Sequence, residues 1–195
     1  MTEAELLQCL GSLITAWESE VVEFKQAGHD FDTHKIGQYV SALANEANLR
    51  GRDTAWLVFG VNDKSRAVVG TEYRREPDRL NGLKAQISQD AEPSTTFREI
   101  HEVMHANGRV LLLEIPPAPR GIPISWKGHY YARAGESLAP LSLAKLDEIR
   151  SQGLQEDWSA VVVEGAGLAD LDDEAVAVAR ESFAKKGRAG FAPEE

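Results

Sequence analysis

The chain has one cysteine, Cys9, among its 195 residues. It therefore forms no internal disulfide and cannot build a zinc site from thiolates, and the default setting for such a chain is a reducing one. No apolar stretch approaches the ~18 residues that a membrane-spanning helix needs, and the N-terminus carries acids where a secretory signal would carry bases. Positive charge is also scarce. The 21 Lys and Arg residues face 31 Asp and Glu, a formal net charge of −10. That balance argues against a protein that coats nucleic acid through bulk positive charge. What is present is an ordinary globular composition, 43% hydrophobic and 27% charged. The length suits one well-buried core with a tail or small subdomain. A cytoplasmic location with no membrane partner is the expectation.

The charge is unevenly spread. Residues 1–23 hold Glu3, Glu5, Glu18, Glu20 and Glu23 with no Lys or Arg, and acids return in Asp170, Asp172, Asp173 and Glu174. Between them, residues 50–84 carry eight bases against five acids, the bases being Arg50, Arg52, Lys64, Arg66, Arg74, Arg75, Arg79 and Lys84. Such a stretch suits a phosphate-binding face, and equally a solvated surface.

Hydrophobic periodicity supplies the elements. Leu6, Leu10, Leu13, Ile14 and Trp17 recur at helical spacing and predict an amphipathic helix over 3–16. Thr33 is placed to cap a second helix bearing Ile36, Tyr39, Val40, Leu43 and Ala44 on one face. The run from Ala55 to Val61 reads as a central strand covered on both sides, with Ala67 to Gly70 as its hairpin return. Pro77 suits the first residue of a third helix, with Leu80, Leu83 and Ile87 inward. Asn107-Gly108 predicts a hairpin between strands at about 96–105 and 109–115. His129 to Arg133 is a further strand, followed by a short helix with Leu143, Leu146 and Ile149 and a late strand from Trp158 to Val163. A last helix, Asp172 to Lys186, carries acids at its start and lysines at its end, as the helix dipole favours. Gly187 to Glu195 reads as a linker.

One motif is misleading. His101-Glu102-Val103-Met104-His105 matches the H-E-x-x-H pattern of zinc proteases, which works only on a helix, where residues four apart share a face. This segment abuts a hairpin turn and reads as a strand, where the two histidines would stand roughly 13 Å apart. Cys9 falls near the apolar side of the first helix and reads as core.

The most informative stretch is Glu18-Ser19-Glu20-Val21-Val22-Glu23-Phe24-Lys25. As an alternating strand, its end buries Val22 and Phe24 and sends Glu23 and Lys25 out on the other face. A carboxylate beside an ammonium can hold a divalent cation and neutralise a phosphate. The plainer alternative is a strand edge with surface ion pairs worth under about 1 kcal/mol, as in an interaction or oligomerisation domain.

Taken in order, several segments resemble the Schlafen AlbA-like domain, known from bacterial regulators and animal Schlafen proteins. They are Glu18 with Glu23-Phe24-Lys25, Tyr39 to Asn45, Val58 to Ser65, Val68 to Gly70, Leu113 to Pro116 and Tyr130 to Gly135. The resemblance covers about residues 18–140. It implies an α+β fold over 1–150, a mixed β-sheet with flanking helices, then a strand/helix appendix and linker over 151–195 leading to further C-terminal parts. In animal Schlafens two glutamates and an aspartate support metal-dependent cleavage of transfer and ribosomal RNA, and Glu18, Glu23 and Asp63 correspond to them. The resemblance thus implies that these three hold Mg²⁺ or Mn²⁺ while Lys25 steadies developing negative charge. Arg66, Arg74, Arg75, Arg79, Lys84 and Arg133 would contact the nucleic acid. Asn62 stands where many relatives carry an acid, and Glu46 to Thr54 is longer than in animal Schlafens. Their zinc cluster has no counterpart here, so zinc is not expected. They also pair two lobes, a role that a homodimer would fill. The implied function is a domain binding RNA or DNA, a candidate divalent-metal-dependent endoribonuclease on structured RNA such as tRNA. The alternative is a non-catalytic DNA-binding module of a bacterial transcriptional regulator with a separate ATP-binding part.

Overall fold

The computed structural model describes residues 1–15, 20–135, 137–152, 167 and 170–185. They belong to two compact units, Met1–Gln155 and Glu156–Glu195. The first unit has an α+β fold. Strand β1 (Val22–Lys25) runs parallel to β2 (Ala55–Phe59), and helix α2 (Thr33–Leu49) makes the crossover between them. Strands β4 (Glu99–His105) and β5 (Gly108–Ile115) form a hairpin that extends this sheet antiparallel, giving the order β1-β2-β5-β4. Strict alternation explains the apolar runs of the central strands. Val58, Val110 and Leu112 meet Leu6 and Leu10 of helix α1 (Glu3–Thr15) on one face. Leu57, Phe59, Leu111 and Leu113 meet α2 and helix α3 (Pro77–Asp90) on the other. A strand covered on both faces has no need of polar positions.

A second sheet lies against α2, in the order β3 (Ala91–Glu92), β6 (Ser125–Trp126), β7 (His129–Ala134), β8 (Ser137–Pro140). The fit is close: a Cβ on Gly37 would fall 2.2 Å from the Trp126 ring, so only glycine lets the helix approach here. Strand β6 pairs with β7 only through Ser125 and Trp126, so the backbone of β7 runs on without a strand partner on that side. Side chains of α2 take over. Asn45 donates to the carbonyls of Ile124 and Tyr131 at 2.9 and 3.0 Å and accepts from the Ile124 N–H at 2.8 Å. Ser41 donates to the Ile124 carbonyl at 2.8 Å and accepts from the Tyr131 N–H at 3.1 Å. Glu46 accepts from the Arg133 N–H at 3.1 Å and from the ammonium of Lys145 on helix α4 (Leu143–Ser151). Residues 41 and 45 share a helix face, so one face of α2 substitutes for a strand edge.

The structure departs from expectation at several points. Asp32, not Thr33, caps α2 by accepting from the His34 N–H at 2.9 Å, while Thr33 Oγ1 accepts from Arg74. The return strand at 67–70 shrinks to a single bridge, Val61 to Val68. The N–H groups of Val69 and Gly70 both turn to the carbonyl of Gly60, which folds the segment away from a ladder. The hairpin loop is Ala106-Asn107, with Gly108 already the first residue of β5, opposite His105. In α4, Ile149 is buried but Leu143 is exposed, because that helix meets the core with its C-terminal end. Trp17, the expected strand from Trp158 to Val163 and the expected linker from Gly187 lie outside the described residues.

In the second unit, helix α5 (Asp173–Lys185) is capped by Asp172, which accepts from the Ala175 N–H at 2.8 Å. Its Val178 and Phe183 are exposed. Among the described residues no helix is long and apolar enough to cross a membrane.

Asn45→Ala would take this partner from the Ile124 N–H and the Tyr131 carbonyl, while the Ile124 carbonyl keeps Ser41, and unsatisfied buried groups cost about 1–3 kcal/mol each. Urea denaturation is expected to show a loss of roughly 2 kcal/mol or more. Asn107→Ala, on the exposed hairpin, should change stability by less than about 0.5 kcal/mol.

Candidate functional site

Glu23 and Lys25 share a face of β1, as alternation requires, but that face is not solvent. The second sheet roofs it, and Glu23 is only 5% exposed. The expectation of an outward-pointing pair is corrected by this roof. Glu23 Oε1 accepts from Lys25 Nζ at 2.6 Å, and Oε2 accepts from the Arg133 guanidinium of β7 at 2.5 Å. The two sheets are therefore tied through one carboxylate. Asp63, in the turn after β2, reaches Lys25 from its other side at 3.7 Å. Asn62 does not face this group. Its Oδ1 accepts from the N–H groups of Lys64 and Ser65 at 3.0 and 2.9 Å, an Asx turn that shapes the loop presenting Asp63.

These residues open onto a cleft of about 300 Å³. Its walls carry Glu20, Glu23 and Asp63 against Lys25, Lys64, Arg66 and Arg133. Arg66 adopts a positive φ of 59° and lays its guanidinium 4.4 Å from the centroid of the Phe24 ring, a cation–π contact that steadies it at the mouth. Tyr39 of α2 sits beneath, its ring 5.6 Å from the Lys25 ammonium and 6.0 Å from the Arg133 guanidinium. Burial, reinforced by the Glu23 charge, pushes the Tyr39 phenol above its ordinary range. On Lys25, burial works against the charged form. The hydrogen bond and charge of Glu23, with help from Asp63, more than offset it and hold the ammonium above the usual lysine value.

The other expected site residues fall into three places. Glu18 lies outside the described residues. Arg74, Arg75 and Arg79 line a separate depression of about 510 Å³ with His29, Tyr73, Glu72 and Glu76. There Arg75 pairs with Glu72 at 2.8 Å and Arg79 with Glu76 at 3.4 Å, while Arg74 is held by Gln86 and the Arg79 carbonyl at 2.8 and 2.7 Å. Lys84 pairs with Glu99 at 2.7 Å, between α3 and β4. Glu20 borders the cleft but pairs with Arg50. The residues from His101 to His105 form β4, as their surroundings indicate, and their partners are separate: Glu114 for His101, Arg109 for Glu102 and the Asn107 N–H for His105.

Whether these donors suit a divalent cation follows from their partners. Glu23 has both oxygens committed to cations, and Asp63 faces the lysine. Among the described residues no three His, Cys, Asp or Glu side chains come together to hold a metal. The described residues do not fit Mg²⁺ or Mn²⁺ as they stand. What sequence reasoning missed is the Glu23–Arg133 pair and the place of Tyr39 below it. The first required knowing that Arg133 of β7 reaches β1, and the second that α2 packs beneath both side chains.

An α+β domain with a charged, two-sheet cleft is the class this defines. The family described as Schlafen, AlbA_2 matches residues 18–142, and the chain belongs to it. The chain resembles the DIP2311 protein from Corynebacterium diphtheriae at 20% identity and a TM-score of 0.53. That match covers 96% of this chain but 35% of the other, so the chain spans about a third of that protein's length. A second solved structure is the N-terminal domain of a RecG-related protein from Nitrosomonas europaea, 25% identical with a TM-score of 0.43, over 70% of this chain and 91% of that one. No curated protein matches.

Because the folded state raises the Lys25 pKa, its charge contributes stability in full below the unfolded lysine value of about 10.4 and loses it as pH rises through the folded value. Denaturation midpoints followed upward from about pH 10, the region in which that charge is lost, should therefore fall more steeply for the wild type than for Lys25→Met.

Proposed function

We propose that the cleft between β1 and β7 binds the phosphate backbone of a nucleic acid, RNA or DNA. One observation carries the reading. In a chain of net charge −10, Lys25, Lys64, Arg66 and Arg133 gather on one concavity against three acids. Membership of the Schlafen AlbA_2 family supports it. Lys64 and Arg66, near the mouth, meet the strand first; Lys25, half-buried, receives a phosphate oxygen behind them. Such contacts position a backbone without reading its bases, so discrimination between sequences would be weak.

Metal-dependent endonucleolytic cleavage of structured RNA such as tRNA is the second reading, with Glu18, Glu23 and Asp63 as ligands of Mg²⁺ or Mn²⁺. In its favour, Glu23 and Asp63 flank one lysine in one cleft. It requires Glu23 to give up a partner. The depression lined by Arg74, Arg75 and Arg79 sets three acids, Asp30, Glu72 and Glu76, against three arginines, which makes it a weaker backbone contact than the cleft. A homodimer would place two clefts on one strand.

Fluorescence anisotropy with a labelled single-stranded oligonucleotide tests the first reading. Binding should weaken steeply with salt, and Lys64→Ala with Arg66→Ala should weaken it about tenfold and flatten the salt slope by about two. Arg74→Ala with Arg75→Ala should have the smaller effect. Absence of binding at low salt would overturn the proposal. For the second reading, tRNA incubated with Mn²⁺ should be cut, and Glu23→Gln should stop the cutting; intact tRNA with the wild type removes it.

A further inference from the structure

We infer that Glu23 is a built-in counter-anion that fills a phosphate seat between Lys25 and Arg133, so that the cleft takes a ligand phosphate by exchange against Glu23 and without a divalent cation. The inference rests on reading the cleft as a phosphate-binding site and goes on to say what that site must displace. Its ligand class is the phosphodiester monoanion.

Three observations lead there. The first is the saturation of Glu23. Its oxygens accept from Lys25 at 2.6 Å and Arg133 at 2.5 Å, so a metal bound to either oxygen would lie close to both positive charges. Repulsion of that kind is strong at short range in a site so enclosed. The second is the surplus of donors. The Arg133 side chain is about 96% buried, yet among the described residues its Nε and NH1 have no acceptor. A carboxylate with two oxygens leaves this guanidinium under-satisfied, whereas a phosphate brings more acceptors and suits guanidinium geometry. The third is the arrangement around Lys25, which reaches Asp63 only at 3.7 Å and is partly open to the cleft. When a phosphate arrives, the ammonium can turn to it while Glu23 gives way.

The sign of one substitution separates this from a metal site. Glu23→Gln keeps the shape but removes the competing charge, so an oligonucleotide should bind more tightly. Were Glu23 a metal ligand that recruits the strand, the same change should weaken binding. The experiment uses the full chain and a labelled single-stranded RNA, titrated in EDTA and again in Mn²⁺. The expected result is the same Kd in both and a gain of at least about fivefold for Glu23→Gln. Loss of wild-type binding in EDTA, or equal or weaker binding by Glu23→Gln, would overturn the counter-anion role while leaving the nucleic-acid reading intact. If no form binds either this RNA or a single-stranded DNA of the same length at low salt, both readings fall together. A second measurement needs no variant. Wild-type protein titrated with Mn²⁺ should leave the free-ion electron paramagnetic resonance signal undiminished, and stoichiometric loss of that signal would overturn the inference.

Discussion

Helix α2 is enclosed from two sides, and this constraint shapes the rest of the domain. Its Ile36, Val40, Leu43 and Ala47 pack on the first sheet. Its Ser41, Asn45 and Glu46, also buried, hold the backbone of the second through hydrogen bonds that a longer β6 would otherwise make. A buried helix is normally apolar all round. This one keeps polar groups because the strand beside it ends early, and buried backbone groups must find partners. The two sheets thus have a set relation to each other, and the site inherits it.

The cleft is a consequence of that relation. β1 is an edge strand of the first sheet and β7 belongs to the second, yet Glu23 and Arg133 meet because both sheets close on α2. Energetics separate this cluster from the other charges. Breaking a buried pair by removing one partner typically costs about 3–5 kcal/mol, because it leaves an uncompensated charge. The exposed pairs Arg75–Glu72 and Arg79–Glu76 are worth under about 1 kcal/mol each. The same burial that makes Glu23 structurally expensive to disturb also limits what chemistry it can do, since its oxygens are already spoken for.

Much of the fold was legible from local chemistry. The hairpin of β4 and β5, the proline start of α3 and the doubly covered strand β2 follow from turn residues and periodicity. The failures have local causes too. Thr33 and Asp32 both suit an N-cap, and only the backbone at residue 32 decides between them. The segment after Gly60 has strand composition, but its N–H groups fold back on one carbonyl. The segment Tyr39 to Asn45 showed a family resemblance without a visible reason. Its Ser41 and Asn45 prove to be the groups that grip the second sheet, while Tyr39 lies under Lys25 and Arg133.

By itself the sequence determined the elements, the two-faced burial of the central strands and the presence of Glu23 and Lys25 on one face of β1, because periods of 2 and 3.6 residues are short-range properties of the backbone. It also marked Asp63 and Arg133 as neighbours in kind, though not in space. Only the tertiary structure decided that Arg133 caps Glu23, that Arg74, Arg75 and Arg79 stand apart from the cleft, and that the carboxylate faces two cations instead of water. Those outcomes depend on how two sheets close around one helix, and residues more than a hundred positions apart carry no local signal of their meeting.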